Sequence, residues 1–307
     1  MRISINTPAS ESLNISKAAS GTLATASPGK SVFLSVIILA CSMAVFLIAP
    51  KYAPLFPTNG NPYFAAIVSA AFLLAAVLFK RSAKLSKYWL LAFAFFAASM
   101  YNLSADLFGG YERVFLHWFG ASQDTNPGLG LGKLYEMLLA VVPFIVLTLL
   151  SGADLKSIYL TKGNLNYKWG LGIGALFVIN YLTSALMFHG TDYAVSNLGG
   201  VILWGMVFAV CNSMLEELWT RGLFLKKLIP LVGVAGSIIL TSIWFGFMHL
   251  LSVVYMPAFA IPVYVVNTIT MGIACGILMV KTGSVWGAFF LHAAADLFLF
   301  IAMLAIR

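Results

Sequence analysis

The chain has 307 residues, 61% of them hydrophobic and only 9% charged, with a mean hydropathy of +0.95. Soluble domains carry about a quarter charged residues, so this composition excludes an ordinary soluble protein and predicts a polytopic membrane protein. The formal net charge of +8 does not point to nucleic acid, because the basic residues sit in short loops between apolar runs, where cytoplasmic retention of Lys and Arg places them.

Residues 1–30 are rich in Ser, Thr, Ala and Asn and are expected to form a disordered cytoplasmic tail. The run 31–49 is too long for a signal peptide and no small-x-small cleavage site follows it, so it reads as a first membrane helix. About nine spans are expected, each near the ~20 residues that cross a bilayer. They lie close to 31–49, 62–79, 88–108, 134–151, 169–188, 200–225, 233–250, 259–280 and 284–304. With the tail inside, fourteen of the eighteen basic residues become cytoplasmic, including Lys80, Arg81, Lys84 and Lys87. That bias favours a cytoplasmic N-terminus, and the short loops suggest a bacterial inner membrane.

The connection from Phe108 to Lys133 contains Trp118 and the run Gly128-Leu-Gly-Leu-Gly132. It is expected to be an outer loop with an aromatic at headgroup level, in preference to a lid. Gly170-x-x-x-Gly174 and Gly272-x-x-x-Gly276 permit close helix approach. Cys41, Cys211 and Cys275 lie in apolar runs without a CxxC or CxxH pairing and read as small buried hydrophobes.

Ionisable residues concentrate in the last hundred positions. Glu217 and Arg221 are four apart, with the acid first, so they share a helix face and can neutralise one another. Glu216 is rotated about 100° from that face and is free to meet a cavity. His292 and Asp296 are likewise four apart, and Phe245 precedes His249 by one turn. A charge near the bilayer centre costs roughly 2.5–3.5 kcal/mol on insertion scales, so such groups imply function. Glutamate and histidine on separate helices suit activation of a water, and a second histidine suits oxyanion stabilisation. Glu216, His249 and His292 would equally serve as zinc ligands, so metal-dependent and metal-free chemistry both stay open. Glu216 lies ten residues from Lys226 and His292 eleven from Lys281, each roughly 15 Å from the cytoplasmic end. His249 reaches that depth only if the stretch before it, through Pro230, Gly233 and Gly236, first runs along the interface.

Three segments resemble the CAAX prenyl endopeptidase-like family, also called the CPBP or Abi family of intramembrane metalloproteases. They are Glu216-Glu217-Leu-Trp-Thr-Arg221-Gly222, Phe245-Gly-Phe-Met-His249, and Gly272 through Thr282-Gly283-Ser284-Val-Trp286 to His292-Ala-Ala-Ala-Asp296. The resemblance covers residues 200–302, which would be the protease core behind N-terminal transmembrane helices over 31–199. It implies an all-α bundle with its site in the C-terminal four helices, and an endopeptidase acting on a peptide or protein, prenylated or bacteriocin-like. Glu216 and His249 would activate water, His292 and Asp296 would stabilise the oxyanion, and Glu217, Arg221 and Phe245 would support them. Asp296 departs from the Asn of the prenyl-processing branch, and an ionised aspartate cannot donate to an oxyanion. Thr220 replaces an aromatic common before the arginine. The competing reading is a non-catalytic self-immunity or scaffold protein. An ion-coupled transporter would call for an inverted repeat, and none is visible.

Overall fold

The computed structural model describes residues 28–50, 62–164, 198–250, 258 and 261–304. Among the described residues every regular element is helical. That is the expected result where no water satisfies the backbone, since a helix pairs its own amides and carbonyls. The helices are α1 (Pro28–Met43), α2 (Pro62–Arg81), α3 (Trp89–Phe108), α4 (Glu112–Trp118), α5 (Asn126–Leu150), α6 (Leu198–Glu217), α7 (Leu225–Met248), α8 (Ile261–Thr282) and α9 (Trp286–Leu304).

The chain divides into two compact units, Met1–Ile38 and Leu39–Arg307. The described part of the first is the opening of α1, whose Val32, Phe33 and Val36 are exposed. Within the second, α2 packs on α3, α3 on α5, α5 on α6, and α6 on α9, while α8 contacts both α7 and α9.

Seven helical stretches among the described residues are long and apolar enough to cross a membrane, the first Ser31–Ile48 and the last Ile261–Thr282. The chain is an integral, multi-pass membrane protein. The expected count of nine is not established: the span near 169–188 and Gly170-x-x-x-Gly174 lie outside the described residues, and α9 is not among the seven.

One expectation is corrected between α3 and α5. The predicted loop from Phe108 to Lys133 is largely helical, and α5 begins at Asn126, capped by Thr125, whose Oγ1 accepts from the Gly128 amide at 3.1 Å. Pro127 fits the first turn, where no amide is needed. The glycines read as loop residues are there for contact: a Cβ at Gly128 would lie 1.8 Å from the Ser122 carbonyl oxygen, and one at Gly130 3.0 Å from Trp204. Lys133 and Glu136 are therefore inside a helix, paired at 2.5 Å, and Tyr101 on α3 donates its hydroxyl to the other Glu136 oxygen.

The N-terminal helices, which carry no motif, support the motif-bearing ones through aromatic rings. Phe46 lies 4.8 Å from Trp219 and stacks on Trp244 at 5.5 Å, while Phe95 lies 4.8 Å from Phe224. Tyr101 meets Trp219 edge-on at 4.7 Å, and Trp219 Nε1 donates to the Ala98 carbonyl at 2.9 Å. Buried aromatic pairs contribute about 0.5–1.5 kcal/mol each beyond their area. The indole bond pins the backbone just after the paired glutamates to α3.

Candidate active site

After Glu217 the helix does not simply continue. Leu218–Gly222 forms a π-helical turn, with the Leu223 amide reaching back to the Leu218 carbonyl at 3.0 Å. Single π-turns inside α-helices recur at functional sites because they re-aim side chains. Here the turn carries Arg221, which is fully buried.

Arg221 is held from three directions, while its Nη2 is buried without a hydrogen-bond partner among the described residues. Nη1 donates to Glu217 Oε1 at 2.6 Å, Nε donates to the Gly272 carbonyl of α8 at 3.2 Å, and the guanidinium lies 4.1 Å above the Phe245 ring. The expected Glu217–Arg221 pair is thus present and completely enclosed. Thr220, the departure from the aromatic, donates its hydroxyl to the Glu216 carbonyl at 2.6 Å and accepts from Arg221 Nη1 at 3.3 Å.

Gly272 explains how α8 comes so close. A Cβ there would meet Arg221 Nη2 at 2.8 Å and Ser242 Cα at 3.0 Å. Overpacking of this kind typically costs about 1–3 kcal/mol. Gly272→Ala is expected to lower the thermal midpoint of the detergent-purified chain, whereas alanine at the unobstructed Gly199 is expected to leave it in place.

Two histidines close the site. His249 caps the end of α7, where the last carbonyls lack helical partners, and its Nδ1 donates to the Phe245 carbonyl at 2.7 Å. That bond places a proton on Nδ1, so in the neutral ring Nε2 is the acceptor. Within the stretch expected to run along the interface, Gly233 has φ 76° and ψ 171°, a conformation reserved for glycine, and it divides α7 three residues after Pro230. On α9, His292 Nδ1 donates to Glu217 Oε1 at 2.9 Å. Phe245 packs edge-on against His292 at 5.6 Å and tilted against His249 at 4.5 Å.

Both Nε2 atoms face Glu216. Its Oε2 lies 3.7 Å from His249 Nε2 and 3.6 Å from His292 Nε2, and it has no hydrogen-bond partner among the described residues. These separations are too long for direct hydrogen bonds. Glu216 therefore faces the two histidines, while Oε1 of Glu217 serves both Arg221 and His292 and its Oε2 is buried without a hydrogen-bond partner among the described residues. The sequence-predicted residues come together from α6, the π-turn that follows it, α7 with its cap His249, and α9, with α8 closing the back.

Asp296 does not point away from this group. Its Oδ1 lies 3.5 Å from His292 Nε2, and its Oδ2 accepts from Asn212 Nδ2 at 2.9 Å. Asn212 was not singled out from sequence, although an amide one turn before Glu216 in an apolar helix is a readable signal.

Among the described residues no three His, Cys, Asp or Glu side chains already converge on one point as metal ligands. The donor chemistry nonetheless suits zinc: a carboxylate oxygen without a partner faces two imidazole Nε2 atoms, and both rings are oriented through Nδ1 by a carbonyl or a carboxylate, as metal-binding histidines usually are.

A multi-pass helical membrane protein that encloses a Glu–His–Asp centre between its helices is the class this fold and site define. Comparison with family models makes it more specific: residues 198–298 match the family described as type II CAAX prenyl endopeptidase Rce1-like. The match covers the core expected at 200–302 as far as residue 298 and points to CAAX-protease-type chemistry. No match was found among curated proteins or among solved structures.

Proposed function

We propose that the chain is an intramembrane endopeptidase that hydrolyses a peptide bond with a water activated by Glu216 and His249. The observation that carries this reading is the partnerless Glu216 Oε2 facing two oriented imidazoles inside an apolar bundle. In this mechanism Glu216 takes the water proton, and the bare Nε2 of His249 accepts the water's second hydrogen. The oxygen attacks the carbonyl carbon, and His292, carrying a proton on Nε2, donates to the oxyanion. Collapse breaks the C–N bond, and Glu216 returns its proton to the leaving amine. Glu217, Arg221 and Phe245 hold the two rings in place.

Were zinc bound, Glu216, His249 and His292 would be its ligands, and it would polarise the carbonyl and lower the pKa of a bound water. The role of His292 separates the two versions, since Nε2 carries a proton in one and lends its lone pair in the other. Thorough chelation followed by metal readdition tests this. The metal-free mechanism predicts unchanged cleavage throughout, whereas the zinc version predicts loss on chelation and recovery on readdition.

The substrate is a peptide or protein reaching the bundle from the lipid or the cytoplasmic side, with prenylated and bacteriocin-like peptides as the candidates. A cytoplasmic N-terminus in a bacterial inner membrane accords with the basic residues and puts the site roughly 15 Å inside that face. Membranes containing the full chain, incubated in heavy-oxygen water, should accumulate peptide fragments with labelled new C-termini. Their absence relative to membranes lacking the chain would favour the non-catalytic immunity or scaffold reading.

A further inference from the structure

We infer that Asn212 is a catalytic residue of this site, the amide that donates to the scissile carbonyl oxygen as it becomes an oxyanion. The inference rests on the hydrolase reading above. That reading needs donors around the developing charge, and an ionised Asp296 has no proton to give. The geometry gives Asp296 a different task. One of its oxygens accepts from Asn212 Nδ2 at 2.9 Å, and the other lies 3.5 Å from His292 Nε2. Asp296 thus accepts from Asn212 and stands beside His292, positioned to orient the amide.

Asn212 is well placed for the missing role. It is buried on α6, four residues before Glu216 and so on nearly the same face, and α6 packs along α9. Three steps of 2.9, 3.5 and 3.6 Å, through Asp296 and then His292, lead from its amide to the Glu216 carboxylate. An amide nitrogen carries two hydrogens. The bond to Asp296 uses one of them and fixes the amide plane, which sets the direction of the other. A neutral donor locked by a carboxylate in an apolar setting is the preorganised dipole that stabilises developing charge without reorganising.

No bond to Asn212 forms or breaks. As the water oxygen bonds to carbon, the carbonyl π pair moves onto oxygen, where the free Asn212 N–H and His292 meet it. As the pair returns, the C–N bond breaks and the amine takes its proton from Glu216.

The test uses the purified full chain in vesicles and, as substrate, a synthetic copy of the peptide most strongly labelled in the heavy-oxygen experiment. Asn212→Ala should lower kcat roughly 10²–10³-fold, the loss typical of an oxyanion donor, with KM nearly unchanged. In an Asp296→Ala background the same change should still cost about tenfold or more, because the amide acts directly. Asn212→Leu, of matched shape, repeats the measurement if the alanine variant does not fold. Full activity in these variants, or a loss that vanishes in the Asp296→Ala background, would show that Asn212 only braces the carboxylate and would overturn the inference. A wild-type chain that labels no termini overturns the hydrolase reading itself, so the two failures are distinguishable.

Discussion

Glu216→Gln is expected to slow peptide hydrolysis by roughly 10²–10⁴-fold, the range a positioned general base contributes, while leaving the fold intact. The change preserves shape and removes only the basicity of an oxygen that has no hydrogen-bond partner among the described residues. No ion pair of the Arg221 kind is broken, so the thermal midpoint should stay close to that of the wild type. His249→Ala should give a comparable loss of rate, because its Nε2 faces the same carboxylate oxygen from α7. Release of heavy-oxygen-labelled termini, measured beside the midpoint, checks both. Undiminished labelling in both variants would remove Glu216 and His249 from the chemistry.

The second large effect concerns stability. Arg221→Met should destabilise the protein by about 3–5 kcal/mol, because it strands the Glu217 carboxylate in a fully enclosed position. It also removes the bond to the Gly272 carbonyl and the contact with Phe245. The double change Glu217→Gln/Arg221→Met should recover much of that loss, since no unpaired charge is left behind. Activity should not return with stability, because Glu217 Oε1 also orients His292 at 2.9 Å. Thermal unfolding in detergent with parallel turnover measurement separates the two. Equal stability of the single and double variants would show that the ion pair is not what holds the π-turn.

The division of labour between the paired glutamates was legible because it depends only on helical spacing. A four-residue offset pairs Glu217 with Arg221, and a one-residue offset turns Glu216 away, whatever the rest of the bundle does. In the sequence Pro230 and Gly233 only permit an interfacial stretch, and the structure shows a kink in α7 at Gly233, where glycine tolerates a positive φ. The glycine run 128–132 misled for the opposite reason. Glycine marks both turns and close contacts, and only the carbonyl of Ser122 and the ring of Trp204 decide that these are contacts inside a helix. Lys133 was consequently placed in a loop rather than beside Glu136.

By itself the sequence determined that this is a membrane-embedded helical protein, that ionisable groups gather in its apolar spans between residues 216 and 296, and which of two adjacent acids pairs with Arg221. Those properties follow from local hydropathy and helical geometry. Only the tertiary structure decided that Glu216 meets both imidazoles, that Asn212 holds Asp296, and that Phe46, Phe95 and Tyr101 brace the site from helices without motifs. Those contacts join residues far apart in the chain, and their register is set by how whole helices pack, which no local pattern encodes.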